Sequence, residues 1–275
     1  MMSGIAPQAT QAGLDALAAY AKRVKPDTLR KVGDEILAVG ELLSREPRLR
    51  RALTDPARDA GDRARLTEQV LNGKVTAGTL KIVSALVAER WSSPGEILTG
   101  VEVVGVDALL TAGAAEGVLA EVEDELFRFQ RVVEGDGALS SALSDVTVPV
   151  ADRAGLASSL LSGKAKPITI RLVEAAIAGY GGRGFDDALS KLVEGAAAKR
   201  EQRLAYVTVA SPLPEEQEAR LAGRLSEIYG QPVSAKVTVD PQVVGGIKVQ
   251  IGHDLYDGTV ARRLSEARKA LVARR

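Results

Sequence analysis

Cysteine is absent from all 275 residues. That excludes disulfides, thiolate metal sites and thiol nucleophiles. Histidine occurs once, at His253, and one imidazole builds no zinc site without further ligands. No serine or acidic partner is placed to make a triad with it. Aromatic residues are 3% of the chain, so the cores must be Leu, Val, Ile and Ala, which favours helical bundles. Neither sign of charge is in excess, with 36 basic and 36 acidic residues. A nucleic-acid binder needs a basic excess or a basic stripe with aromatics to stack on, and neither is evident. No window approaches the roughly 18 uninterrupted apolar residues of a membrane span. The nearest run, Ile82 to Ala88, is far too short. The start, MMSGIAPQATQAGLDALAAYAKR, lacks the basic opening and continuous apolar core of a signal peptide. If the protein works at a membrane, something else must hold it there.

What is present is apolar patterning, at an apolar fraction of 45% and a length that suits roughly two domains. Thr10 to Val24 reads as an Ala-rich helix ended by Pro26. Leu29, Val32, Ile36, Val39 and Leu43 then step by three and four, the stripe of an amphipathic helix. Glu46-Pro47 ends it, and Leu49 to Leu53 is a short turn of helix. Arg63 to Leu71 follows, stopped by Asn72-Gly73 with Gly at the position that favours a left-handed residue. Thr79 to Trp91 is another helix, and after Pro94 the stretch Ile97 to Leu110 continues helically. The pattern then begins again. With a shift of 90 residues, 15 of the 40 positions from Leu49 to Ala88 are identical to Leu139 to Ala178 without a gap. They include Leu53 with Leu143, Asp62-Arg63-Ala64 with Asp152-Arg153-Ala154, and Gly73-Lys74 with Gly163-Lys164. Val118, Val122, Leu126, Phe129 and Val133 reproduce the first stripe. Two copies are too few for a solenoid, so they imply duplication of a small helical bundle.

From Ala205 the period falls to two. Ala205, Val207 and Val209 read as a strand, Glu215 to Tyr229 as a helix, and Val233 to Val239 as a second strand. Ile247, Val249 and Ile251 make a third strand. Asp257-Gly258 opens a last helix carrying Val260, Leu264, Ala267 and Leu271, with Asp257 placed as its N-cap. A helix between the first two strands permits a right-handed parallel crossover. The expected fold is α+β, mainly α: two helical-bundle modules, 1–115 and 116–204, then a small β-α-β-β-α module, 205–275.

Asp240-Pro241, Val243-Val244, Gly245-Gly246, the alternating strand to Gly252, and Asp257-Gly258 before an arginine-bearing helix form one ordered set. At the end of a helix-rich chain this set resembles the delta subunit of F-type ATP synthases, the homologue of the mitochondrial oligomycin-sensitivity-conferring protein. The resemblance implies a non-catalytic stator subunit, without cofactor or metal, that joins the catalytic head to the peripheral stalk so that the head does not turn with the rotor. In that family the helical bundle grips the N-terminal helices of the α subunits, and the C-terminal part meets the C-terminal end of the b subunit. The implied place is peripheral, on the cytoplasmic face of the cell membrane, with no direct membrane insertion and no nucleic acid. This chain departs in length, since the common form has one bundle. It resembles the long form of some high-GC bacteria, in which the delta portion can also be fused to the b subunit. The duplication leaves open which copy takes the α-subunit helices. A helical adaptor unrelated to ATP synthase would explain the bundles equally well, but not the ordered C-terminal set.

Other motifs weigh less. Gly179-Tyr180-Gly181-Gly182-Arg183-Gly184 matches a dinucleotide loop formally, but a helix precedes it where a strand is required, so it reads as a helix-helix connection. Gly73-Lys74 and Gly163-Lys164 lack the rest of a phosphate loop and read as helix ends. Glu121, Glu123, Asp124 and Glu125 read as a solvated helix face. Asp240, Gly245, Gly246, Asp257 and Gly258 are expected to hold shape. Arg262, Arg263, Arg268 and Lys269 are the candidates for docking an acidic partner helix.

Overall fold

The stripe that starts at Leu29 folds as α2 (Pro26–Arg45), with its apolar residues buried. Pro26 opens this helix, where a missing amide costs nothing, and α1 (Pro7–Ala21) has already ended. The computed structural model describes residues 7–201, 204–229, 233–240, 243, 245–251, 254–260 and 262. They divide into two compact units, 1–197 and 198–275.

The first unit is helical throughout. After α2 come α3 (Pro47–Leu53), α4 (Ala60–Leu71), α5 (Ala77–Ala88) and α6 (Glu96–Ala115). The second copy supplies α7 (Leu119–Gly135), α8 (Gly137–Ser144), α9 (Val150–Leu161), α10 (Pro167–Ile177) and α11 (Phe185–Glu201). A shift of 90 carries α4 onto α9 residue for residue. It also carries Pro7–Ala21 to 97–111, inside α6. α6 therefore closes the first copy and opens the second.

The repeated residues do repeated work. Gly73 and Gly163 end α4 and α9 with φ of 73° and 70°, a conformation that a Cβ would oppose. Arg63 and Arg153 are both buried. Arg63 donates to the Val87 carbonyl at 2.9 Å and the Ala88 carbonyl at 2.7 Å. It thereby satisfies the orphan acceptors at the end of α5. This stops α5 short of Trp91, the end expected from periodicity. Trp91 instead folds back and donates its indole N–H to the Leu86 carbonyl at 3.0 Å. Glu35 accepts from the Thr76 amide at 2.8 Å and the Thr79 hydroxyl at 2.6 Å, at the start of α5. Glu125 accepts from the Lys166 amide at 2.8 Å and from the Thr169 hydroxyl, at the start of α10.

One continuous apolar core runs from Ala9 to Ala196, through both copies. α2 and α6 cross on glycines. A Cβ on Gly33 would lie 2.8 Å from Leu109, and one on Gly105 would lie 2.8 Å from Leu37. α6 is long and apolar enough to cross a membrane by length and composition, but 67% of its most apolar window is buried in this core.

The second unit holds a sheet of β1 (Leu204–Val209), β2 (Ser234–Val239), β3 (Ile247–Ile251) and β4 (Asp254–Asp257), in the order β2-β1-β3-β4. β1 and β2 are parallel, joined through α12 (Glu215–Tyr229), while β3 and β4 run antiparallel to their neighbours. Ala205, Val207 and Val209 pair with Ile251, Val249 and Ile247, and with Leu225 and Val233 they form a separate small core. β4 is a strand beyond the three that periodicity predicts.

Candidate partner-docking site

The glycines of the ordered C-terminal set meet one another. Gly245 and Gly246 have φ of 145° and 88°. A Cβ on Gly246 would collide with the Gly258 carbonyl oxygen, and one on Gly258 would lie 3.1 Å from the Ile247 carbonyl oxygen. The two segments are tied by Gly258 donating to Ile247 at 2.9 Å and Val260 donating to Gly245 at 3.0 Å. Asp240 donates its amide to Val209 at 2.9 Å, fixing the exit from β2. Asp257 lies at the end of β4 and is not the helix cap that the sequence suggests. Its carboxylate accepts from the Thr259 amide at 3.0 Å, and the Thr259 hydroxyl accepts from the Arg262 amide at 3.4 Å. Hydrogen bonding from the Thr259 side chain, and then from its amide, holds the Asp257 carboxyl below the usual range. Val260 and Arg262 are helical, after the Thr259 cap. Arg263, Arg268, Lys269 and His253 lie outside the described residues.

A groove of about 540 Å³ runs between α2, α9 and α10 in the first unit. Its walls come from both copies, so a single bundle could not form it. Gly40, Ala151, Ala154, Gly155 and Ala175 line it with small side chains, which let a guest backbone approach closely. Arg171 of α10 spans it, 3.4 Å from Asp34 and 3.4 Å from Glu41 on α2, and 3.3 Å from Glu174. Burial pushes the Asp34 carboxyl up despite that partner.

At the deep end Glu102 accepts from the Gly181 amide at 2.6 Å, which pins the glycine-rich connection to α6. Burial pushes the Glu102 carboxyl up, and the same burial pushes the neighbouring Tyr180 phenol up to about 12. Glu102 and Gly181 lie 79 residues apart in the chain, too far for a local motif to reveal them.

Exposed apolar side chains are unevenly placed. Among the described residues, every large exposed one lies at Phe127 or later. In the second copy Phe127, Val132 and Val146 are 50%, 58% and 85% exposed, and in the second unit Ile228, Leu255 and Tyr256 are 69%, 53% and 51% exposed. Where such side chains form a contiguous patch they mark interaction surface. Among the described residues no cluster of acidic or imidazole groups suits a metal.

The family model for the ATP synthase delta (OSCP) subunit matches residues 106–271. That span is the second helical copy and the α/β unit, where the exposed apolar residues lie. The ATP synthase subunit delta of Salinispora arenicola is 56% identical over 94% of this chain and 95% of its own length. That of Salinispora tropica is 50% identical over the whole of both chains, and that of Kineococcus radiotolerans is 42% identical over 88% of each. The Salinispora tropica relative thus also contains the counterpart of the first copy.

Proposed function

This chain belongs to the ATP synthase delta (OSCP) subunit family, and from that membership we propose that it is the stator subunit linking the catalytic head to the peripheral b stalk. It is a structural subunit of a membrane-associated complex, without catalysis of its own. The adaptor reading, unconnected to ATP synthase, is not favoured. The observation that carries the proposal is the coincidence of two spans. The family match covers residues 106–271, and the large exposed apolar side chains begin at Phe127.

The finer assignments follow from the family. The second copy, within 116–204, takes the N-terminal helices of the α subunits, because an apolar helical surface suits an amphipathic guest. The module 205–275 meets the C-terminal end of the b subunit, with Arg262, Arg263, Arg268 and Lys269 toward acidic groups on that partner. Asp240, Gly245, Gly246, Asp257 and Gly258 hold the module's shape. The module 1–115 is the addition that distinguishes the long form. The whole sits peripherally on the cytoplasmic face of the cell membrane.

Titration calorimetry of the full chain with an α-subunit N-terminal peptide tests this reading. The intact chain is the right sample, because one core runs through both copies. Saturable binding that Phe127→Ser weakens by about tenfold, or about 1.4 kcal/mol, is expected. No binding by a folded chain would contradict the assignment.

A further inference from the structure

The two copies differ most in charge along the same stretch. From Arg45 to Arg65 the first copy carries seven arginines and four carboxylates, net +3, while Gly135 to Gly155 carries one arginine and three carboxylates, net −2. Arg48, Arg51 and Arg58 are all exposed, and their counterparts are Ala138, Ser141 and Val148. Arg58 pairs loosely with Asp55 at 3.7 Å. Arg48 and Arg51 have no ion pair among the described residues. Arg51 lies in the last turn of the short α3, where a cation complements the dipole, while Arg48 lies in its first turn, where none is favoured. α8 forms without any basic residue, so the fold requires neither.

Two of these arginines border a concavity. A pocket of about 420 Å³ is walled by Arg51 and Arg58, with Asp55 between them, Ser92 and Ser93 as hydroxyl donors and Trp91 behind. The Thr54 hydroxyl in its wall is spent on the Arg50 carbonyl at 2.9 Å. The equivalent pocket of the second copy has Ser144 and Val146 on one side and Arg183, Asp186 and Asp187 on the other, so two carboxylates share it with its exposed arginine. Guanidinium and hydroxyl donors around one opening suit carboxylates.

We infer that this arginine face of the first copy is a second docking surface, and that its partner is an acidic segment of another subunit of the synthase. The inference rests on the stator reading above. A protein partner fits better than a lipid surface for two reasons. Glu46, Asp55 and Asp59 are interspersed among the arginines, a mixed pattern that selects a patterned partner over a uniformly anionic one. The first copy also exposes no large apolar side chain among its described residues, and interfacial membrane binding needs one.

The test uses the full chain and ATP synthase particles depleted of this subunit, with binding measured across a salt series. Arg48→Glu with Arg51→Glu should weaken binding by about tenfold or more and flatten its salt dependence. Arg48→Gln with Arg51→Gln should give a smaller loss of the same kind, and Lys81→Gln on α5, an exposed cation of the same copy outside this face, should bind as the unaltered chain does. If both paired variants bind with unchanged affinity and salt dependence, the inference is overturned and the stator reading stands. If the unaltered chain does not bind the particles, both fall. Binding to phosphatidylglycerol vesicles that the paired variants lose, with particle binding intact, would also overturn it in favour of lipid.

Discussion

Positions 90 residues apart place Ile82 and Leu172, Arg63 and Arg153, Glu35 and Glu125, and Gly73 and Gly163 in matching structural roles. Over the same alignment Arg51 becomes Ser141 and Pro56 becomes Val146, which is 85% exposed. The difference separates what the bundle needs from what it presents. Core side chains, helix-end acceptors and left-handed glycines are fixed by packing and by unsatisfied backbone groups, so duplication preserved them. Surface residues carry no such constraint, and the two copies have come to present opposite chemistries. Along the stretch Arg45 to Arg65 the first is basic and, among the described residues, its copy exposes no large apolar side chain, while the matching stretch of the second is net acidic and its copy exposes several. A chain that holds a rotary machine still needs more than one attachment, and two unlike surfaces on one core supply them.

The likeness inside can be broken first at the buried arginines. Arg63 reaches five carbonyls and Arg153 three among the described residues. Arg63→Ala should cost about 3–5 kcal/mol, the range for removing one side of a buried charged network, and Arg153→Ala less. Both should lower one shared unfolding transition in calorimetry, because the copies share a core. Two separate transitions within the helical unit would refute the shared core. By contrast, Gly246→Val forces a Cβ into the Gly258 carbonyl at a positive φ. It should cost about 1–3 kcal/mol and affect only protection from hydrogen exchange in the sheet. An unchanged sheet would sink that account.

The helix-start carboxylates sharpen the comparison at a smaller scale. Glu35→Ala should cost about 1–3 kcal/mol by orphaning buried donors, and Glu125→Ala somewhat less, since Glu35 takes three bonds and Glu125 two. Denaturant midpoints of the two variants decide this. Glu35 and Glu102 should also respond oppositely to pH. For Glu35, burial opposes charge, but the bonds from Thr79 and Thr76 win and hold its carboxyl below the usual range. Its contribution is full above the unfolded value and fades as pH falls through the folded one. Glu102 is pushed up by burial, so the stability linked to its protonated form is present below the unfolded value and is lost as pH rises through the folded one. Between about pH 3 and pH 7, Glu35→Gln should flatten the acid side of the stability curve, while Glu102→Gln should gain on the unaltered chain as pH rises. The same slope in both variants would contradict this.

The smallest effect is expected at the clamp across the groove. Arg171 faces Asp34 and Glu41, each with a side chain 47% exposed. Solvent screening limits such pairs, so Arg171→Ala should cost about 0.5–1 kcal/mol. A loss of several kcal/mol in chemical denaturation would mean that the copies are held together by charge more than by the core.

Much of this was legible in the chain. The stripe from Leu29 to Leu43, the Gly73 and Gly163 helix ends and the alternation from Ile247 to Ile251 each follow from local spacing. The duplication follows from self-comparison alone. The parts that were not legible depend on distant partners. α5 stops at Ala88 because Arg63, 24 residues upstream of Val87, takes its carbonyls. β4 is four residues with little burial, so no alternation announces it. The groove joins α2 to α9 and α10, and neither wall carries a motif. The arginine face carries no signal of its own, because charged surface residues are common, and it stands out only when the copies are laid side by side.

The stator role is tested most directly by reconstitution. Membranes stripped of this subunit, with the remaining synthase intact, are given back the purified full chain, and ATP synthesis driven by an imposed proton gradient is measured. The account predicts that synthesis returns in step with chain bound and saturates when each synthase has one. Chain that binds fully and restores no synthesis, or synthesis that runs equally well without it, would contradict the account.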